Sequence, residues 1–155
     1  MNSPELKKIL ATVKIFDGMT DSHLGQIVPL LRPVNCQAGT KIINEGDPGI
    51  SMYIIKQGSV KVTRTQDDDD EIFIGNLAAG SYFGELSLID NLPRSANVIA
   101  LEDSSVFQLG KSDFDDLLKK NADIAVIFYR NCLTETFARF RNNLASITFS
   151  EHTLR

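Results

Sequence analysis

Residues 82–100 read Tyr-Phe-Gly-Glu-Leu-Ser-Leu-Ile-Asp-Asn-Leu-Pro-Arg-Ser-Ala-Asn-Val-Ile-Ala, and they set a glutamate and an arginine, Glu85 and Arg94, nine positions apart. Gly84 lets the backbone approach a ligand closely. Residues 86–90 are long enough for about one helical turn, whose first N–H groups suit an anion. Pro93 biases the residue before it toward extended geometry, so Arg94 arrives at a defined place, where its planar guanidinium can fork onto two phosphate oxygens. A carboxylate at Glu85 would repel a bare phosphate, but it suits a ribose hydroxyl, as the acidic residue of dinucleotide-binding folds does. Phosphate and ribose together point to a nucleotide. The plainer alternative is an exposed Glu85–Arg94 ion pair, a common arrangement worth little.

The elements that must position these residues follow from periodicity. Leu6, Ile9, Leu10, Val13 and Phe16 recur at helical spacing over residues 5–16. Thr20 or Asp21 is expected to cap a second helix carrying Leu24, Ile27, Val28 and Leu31, with Pro33 as its stop. From Val34 to Leu109 the pattern changes to short strands punctuated by glycine turns, which predicts an antiparallel roll or jelly roll. Gln57-Gly58-Ser59 reads as a tight hairpin with Gly58 at positive φ, Ile72 and Ile74 as an alternating inner face, and the aspartates at 67–70 as a solvated hairpin tip rather than a calcium loop. Ser112 and Asp115 resemble a capping box for a helix through Leu117 and Leu118. A long helix follows over about 123–146. Ile124, Ile127 and Phe128 could lie on the roll, while Val126, Leu133, Phe140 and Ile147 recur every seven residues, with Phe137 and Leu144 between them, as a dimer seam. Arg130 interrupts that seam, and residues 148–155 read as a tail.

Phe-Gly-Glu-Leu-Ser-Leu followed by Pro-Arg-Ser-Ala-Asn-Val resembles the phosphate-binding cassette of the cyclic nucleotide-binding domain family. Gly39, Glu45-Gly46-Asp47, Tyr53-Ile54-Ile55 and Gly58-Ser59-Val60 stand where that family has its turns and strands, so the resemblance covers about residues 16–147. It implies an eight-stranded antiparallel β-roll at 34–110, N-terminal helices at 1–33 and C-terminal helices and tail at 111–155, all one domain. Arg94 would hold the cyclic phosphate, with Ser95 on a phosphate oxygen. Glu85 would take the ribose 2′-hydroxyl, and Gly84 and Leu86 would contribute backbone groups. Ser87 and Ala96 complete the cassette. Val62, Ile72, Ile74 and Phe83 are candidate wall residues, and Phe137, Arg139 and Phe140 candidate covers for the base. Serine at 95 leaves the base open between cyclic AMP and cyclic GMP, with cyclic AMP favoured. The expected partners are the nucleotide, a second copy through the long helix, and an output domain or partner protein.

Bulk properties narrow the alternatives. With 155 residues, 43% hydrophobic and 23% charged, the chain has the size and make-up of one soluble domain. A formal charge of -4 argues against a broad grip on nucleic acid or anionic membrane. Neither a signal peptide nor a spanning run is evident, so a cytoplasmic location is expected. Cys36 and Cys132 lack metal-ligand spacing and read as reduced thiols. His23 and His152 lie outside the roll at opposite ends, which disfavours a metalloenzyme of jelly-roll type; His23 reads as a surface or packing residue. No cofactor, metal or catalysis is expected. A DNA-binding regulator would need a recognition segment beyond Arg155, so the other readings are the ligand-binding fragment of such a regulator and a ligand-free dimerisation module.

Overall fold

The structure, a computed structural model, describes residues 3–66 and 70–153, with side chains through residue 145. Two four-stranded antiparallel sheets form the roll. One sheet has the order β1 (Leu31–Cys36), β8 (Ser104–Gly110), β3 (Ser51–Gln57) and β6 (Tyr82–Phe83). The other has the order β2 (Lys41–Ile43), β7 (Asn97–Ala100), β4 (Ser59–Thr65) and β5 (Glu71–Ala78). Ile43, Ile55, Val60, Phe83, Val98 and Val106, drawn from both sheets, make the core between them.

A second core covers the outer face of the first sheet. Met52, Ile54, Phe107 and Leu109 point there and meet the helices α1 (Ser3–Ala11), α2 (Asp21–Ile27), α4 (Lys111–Lys120) and α5 (Ala122–Thr153). Ile124 and Phe128 are buried in this core, and Phe128 meets Phe114 edge to face at 4.8 Å. Each fully buried side chain of this size contributes about 1.5–3 kcal/mol relative to exposure. Asn131 Nδ2 donates to the carbonyls of Ile15 and Asp17, both at 2.9 Å, and so pins α5 to the turn after α1.

Several local expectations are corrected. The first helix ends at Ala11, and Lys14–Phe16 is a separate 3-10 turn. Thr20 does cap α2, but the residue that answers it is His23, whose Nδ1 accepts from Thr20 N at 3.2 Å. Pro33 stops no helix, because the roll already begins at Leu31. It sits in β1, an edge strand bonded only to β8, where an absent N–H costs nothing. Ser112 is not a cap either: Lys111 N donates to Ile50 O at 2.8 Å, so α4 leaves β8 directly, with Gly110 at the N-cap and no side-chain bond. The long helix continues to Thr153 where a tail was expected.

The most informative correction is at Gly58. β3 and β4 belong to different sheets, so residues 57–59 are a corner that carries the chain from one sheet to the other. Gly58 has φ +92, and a Cβ there would lie 2.1 Å from Ser104 Oγ and 2.8 Å from Ser104 Cα. The true hairpin is β4–β5, closed by Gln66 N donating to Asp70 O at 2.7 Å; the aspartates at 67–69 lie outside the described residues. Gly58→Ala should cost about 2–4 kcal/mol, combining left-handed strain with overpacking. Gly80→Ala, at φ +87 but with nothing within 4 Å, should cost only about 1–2 kcal/mol. Urea midpoints compare the two directly; equal losses would remove the corner contact as the cause.

Candidate functional site

The chain leaves β6 at Phe83 and turns at Gly84, whose φ is +82. A Cβ here would lie 2.8 Å from Arg94 Nη1, 3.1 Å from Ile43 Cδ1 and 3.2 Å from Ser51 O, so the glycine leaves the space in which the arginine lies. The helix α3 (Leu86–Asp90) follows and ends at Asn91 in the left-handed conformation. Arg94 is then clasped through its own backbone: Arg94 N donates to Asp47 O at 2.8 Å, and Gly46 N donates to Arg94 O at 2.9 Å. The residue is only 7% exposed, and its guanidinium donates from Nη1 to Gly84 O at 2.9 Å and from Nη2 to Ser51 O at 2.6 Å. Both acceptors are neutral. Among the described residues no carboxylate lies within ion-pair distance of Arg94, and burial lowers its pKa from the ordinary arginine value.

Glu85 is 8% exposed and faces the same cavity. Its nearest cation is Arg139 on α5, with Nη1 3.5 Å from Oε1. Burial raises the Glu85 pKa, and that effect outweighs the neighbouring charges. The same buried corner raises Tyr82 and carries the Cys132 thiol up to about 12, burial being the main cause in both. The plain reading of a Glu85–Arg94 surface pair therefore fails on both counts: the two are buried, and they are not paired.

A cavity of about 530 Å³ opens between these groups, within the range of about 300–1,000 Å³ usual for small-molecule sites. All seven cassette residues line it, Gly84, Glu85, Leu86, Ser87, Arg94, Ser95 and Ala96, as do Val62, Ile74, Phe83 and Arg139. Ile72, Phe137 and Phe140 do not. Ile72 pairs with Arg64, the last cavity-lining residue of β4, and so stands at the rim toward the β4–β5 tip, 45% exposed, while the bulge between the Val62–Gly75 and Thr63–Phe73 pairs leaves Ile74 on the cavity. Helix geometry explains the other two. At about 100° per residue, Phe137 and Phe140 cannot share the face of Arg139, and they are 58% and 59% exposed.

Sequence reasoning missed Ser51, which acts through a carbonyl and so leaves no side-chain signal, and Arg64, which also lines the cavity. Arg64 lies two residues after Val62 on β4, a spacing that could have found it. Its guanidinium is 3.5 Å from the Glu45 carboxylate, whose pKa is lowered chiefly by the hydrogen bond from Thr65 N.

With this geometry in place, comparison with known proteins is decisive. Residues 33–121, more than half of the chain, match the model of the cyclic nucleotide-binding domain. The chain belongs to this family. It is 35% identical over 115 residues to a cAMP-dependent protein kinase regulatory subunit of Debaryomyces hansenii, covering 74% of this chain and 25% of that one. It is 28% identical over 146 residues to a CRP-like cAMP-activated global transcriptional regulator of Mycobacterium tuberculosis, covering 94% of this chain and 65% of that one. The chain thus spans 65% or less of the length of these two relatives. A solved cyclic nucleotide-binding domain from Methylobacillus flagellatus superposes with a TM-score of 0.80 over 94% of this chain and 82% of its own, at 24% identity, and shares the fold. Among the described residues no group of three or more histidines, cysteines and carboxylates could hold a metal, and no helix is long and apolar enough to cross a membrane.

The raised pKa of Glu85 fixes a sign. Between the ordinary carboxyl value and the raised one, the folded protein keeps a proton that the unfolded chain has released, so this group's contribution to stability is lost as pH rises through that window. Urea unfolding of the ligand-free protein from about pH 4 to pH 8 should show Glu85→Gln gaining on wild type as pH rises. Parallel curves would remove the burial cost from Glu85.

Proposed function

We propose that the chain is a cyclic nucleotide receptor that takes cyclic AMP in preference to cyclic GMP. Its pocket is coupled to α5, and α5 pairs with that of a second copy. The observation that carries the reading is Arg94: a buried guanidinium, fixed by two neutral carbonyls, without a carboxylate in contact and open to a cavity of ligand size. A buried charge without a counter-charge is costly, and a phosphate supplies both the charge and the geometry that a guanidinium fork matches. Ser95 would add a hydroxyl to the same phosphate, and Gly84 and Leu86 backbone groups. Glu85 would accept from the ribose 2′-hydroxyl. Val62, Ile74 and Phe83 would wall the purine, with Arg139 over it. The site asks for binding rather than bond cleavage. The names of the two relatives, cAMP-dependent and cAMP-activated, support the choice of base.

Arg139 gives the pocket a handle on α5. A ribose that takes Glu85 competes with the Arg139 contact, and a ligand moves an equilibrium only by such a preference for one state. On the far side of the helix Val126, Leu133, Phe137, Phe140 and Leu144 are all exposed, an apolar stripe that supports the dimer seam; the side chain of Ile147 lies outside the described residues. A ligand-free dimerisation module is the weaker reading, because it leaves the Arg94 guanidinium without an anion in contact.

Calorimetric titration with cyclic AMP and cyclic GMP tests the pocket. Arg94→Ala should weaken binding at least about tenfold, the loss of one charge-assisted fork at about 1.5–3 kcal/mol, while the far-UV spectrum is unchanged. Equal affinities would sink the assignment. Sedimentation tests the seam: Phe140→Glu should turn a dimer into a monomer, and a monomeric wild type would refute it.

A further inference from the structure

Behind Arg94 the interior of the roll stops being apolar. On the strands β3 and β8 the inward positions include Ile55 and Val106, both in the core between the sheets. Toward the phosphate turn the same face carries Tyr53, Ser51 and Gln108, with Tyr53 and Gln108 directly opposite each other in the ladder. Gln108 Nε2 donates to Ser51 Oγ at 3.1 Å and to Tyr53 OH at 3.3 Å, and Ser51 Oγ donates to Tyr53 OH at 3.2 Å. The carbonyl of Ser51 is the one that takes Arg94 Nη2 at 2.6 Å. A second, smaller cavity of about 170 Å³ is lined by these three residues and by Arg94 itself. The ring of Tyr53 also stacks on Phe83, with centroids 5.1 Å apart, just before Gly84, whose carbonyl takes Nη1. Both acceptors of the guanidinium are therefore tied to one polar cluster.

Ser51 is buried, and Tyr53 and Gln108 are partly buried; polar groups so placed are costly unless they are bonded to one another, and replacing the whole set by apolar residues is often neutral or better for stability. Gln108 directs its amide donor at both hydroxyls. We infer that Gln108 is a positioning residue for ligand binding: it holds the Ser51 segment, through the Ser51 and Tyr53 hydroxyls, so that the Ser51 carbonyl aims the Arg94 fork at the phosphate. This inference rests on the cyclic nucleotide reading of the larger cavity and names a determinant outside it, since Gln108 lines only the smaller one.

The test is a double-mutant cycle on the full chain, read by cyclic AMP titration and by thermal unfolding. Gln108→Leu should weaken cyclic AMP about five- to tenfold with a Tm within a few degrees of wild type. In an Arg94→Lys background, which has no fork to aim, the same change should cost less than about twofold. Tyr53→Phe, which keeps the ring and its stack on Phe83, should show a smaller loss than Gln108→Leu. Wild-type affinity in Gln108→Leu overturns the inference and leaves the receptor reading intact. An equal loss in both backgrounds assigns Gln108 a general packing role and overturns it as well. Should the wild type bind neither cyclic nucleotide, the receptor reading itself falls, and this inference with it.

Discussion

The structure depends on holding one largely buried guanidinium without a carboxylate in contact. Moving a charge out of water costs several kcal/mol even after relaxation, and two hydrogen bonds from a charged donor return about 1.5–3 kcal/mol each. Much of the roll's irregular detail serves that balance. Gly84 gives up a side chain where the arginine must lie, Ser51 turns a carbonyl to it, and the loop at residues 45–49 closes on the arginine's own backbone through Asp47 and Gly46. Asn97 fastens that loop in turn, its Oδ1 accepting from Glu45 N at 2.9 Å. The two apolar cores explain why the sheets and helices hold together; the hydrogen bonds around Arg94 explain why the chain departs from a regular roll near it.

Most of the site was legible in the sequence because its residues are close together in the chain. Glycine, a short turn, proline and arginine act locally, and all seven cassette positions do meet at one cavity. Several of the errors share the opposite property, in that they depend on a partner distant in sequence. Gly58 looked like a hairpin because positive φ is a local fact, whereas the crowding by Ser104 that makes it a corner comes from a strand far along the chain. Ser112 looked like a cap because the Ile50 carbonyl that starts α4 one residue earlier is invisible to a local pattern. Ile72 and Ile74 alternate as letters, but a bulge at Ile74 shifts the pairing with β4 and puts Ile72 opposite Arg64 at the rim. On α5 the seven-residue repeat was legible because it needs no partner to be seen, and the same helical spacing already puts Arg139 on one face and Phe137 and Phe140 on another.

The separation of Glu85 from Arg94 has its own physical logic. Had the two been in contact inside the cavity, a ligand would first have to part a buried ion pair, and breaking one by displacing a partner costs about 3–5 kcal/mol. Instead Arg94 rests on neutral carbonyls, which leave its charge in place. Glu85 meets Arg139, whose own side chain is 58% exposed; a contact of that kind is screened by water and is worth at most about 1 kcal/mol. Each buried group thus has a partner that is cheap to outbid. An anion reaching Arg94 and a hydroxyl reaching Glu85 gain nearly their full interaction. The low cost of exchange follows from which partners the fold withholds as much as from those it supplies.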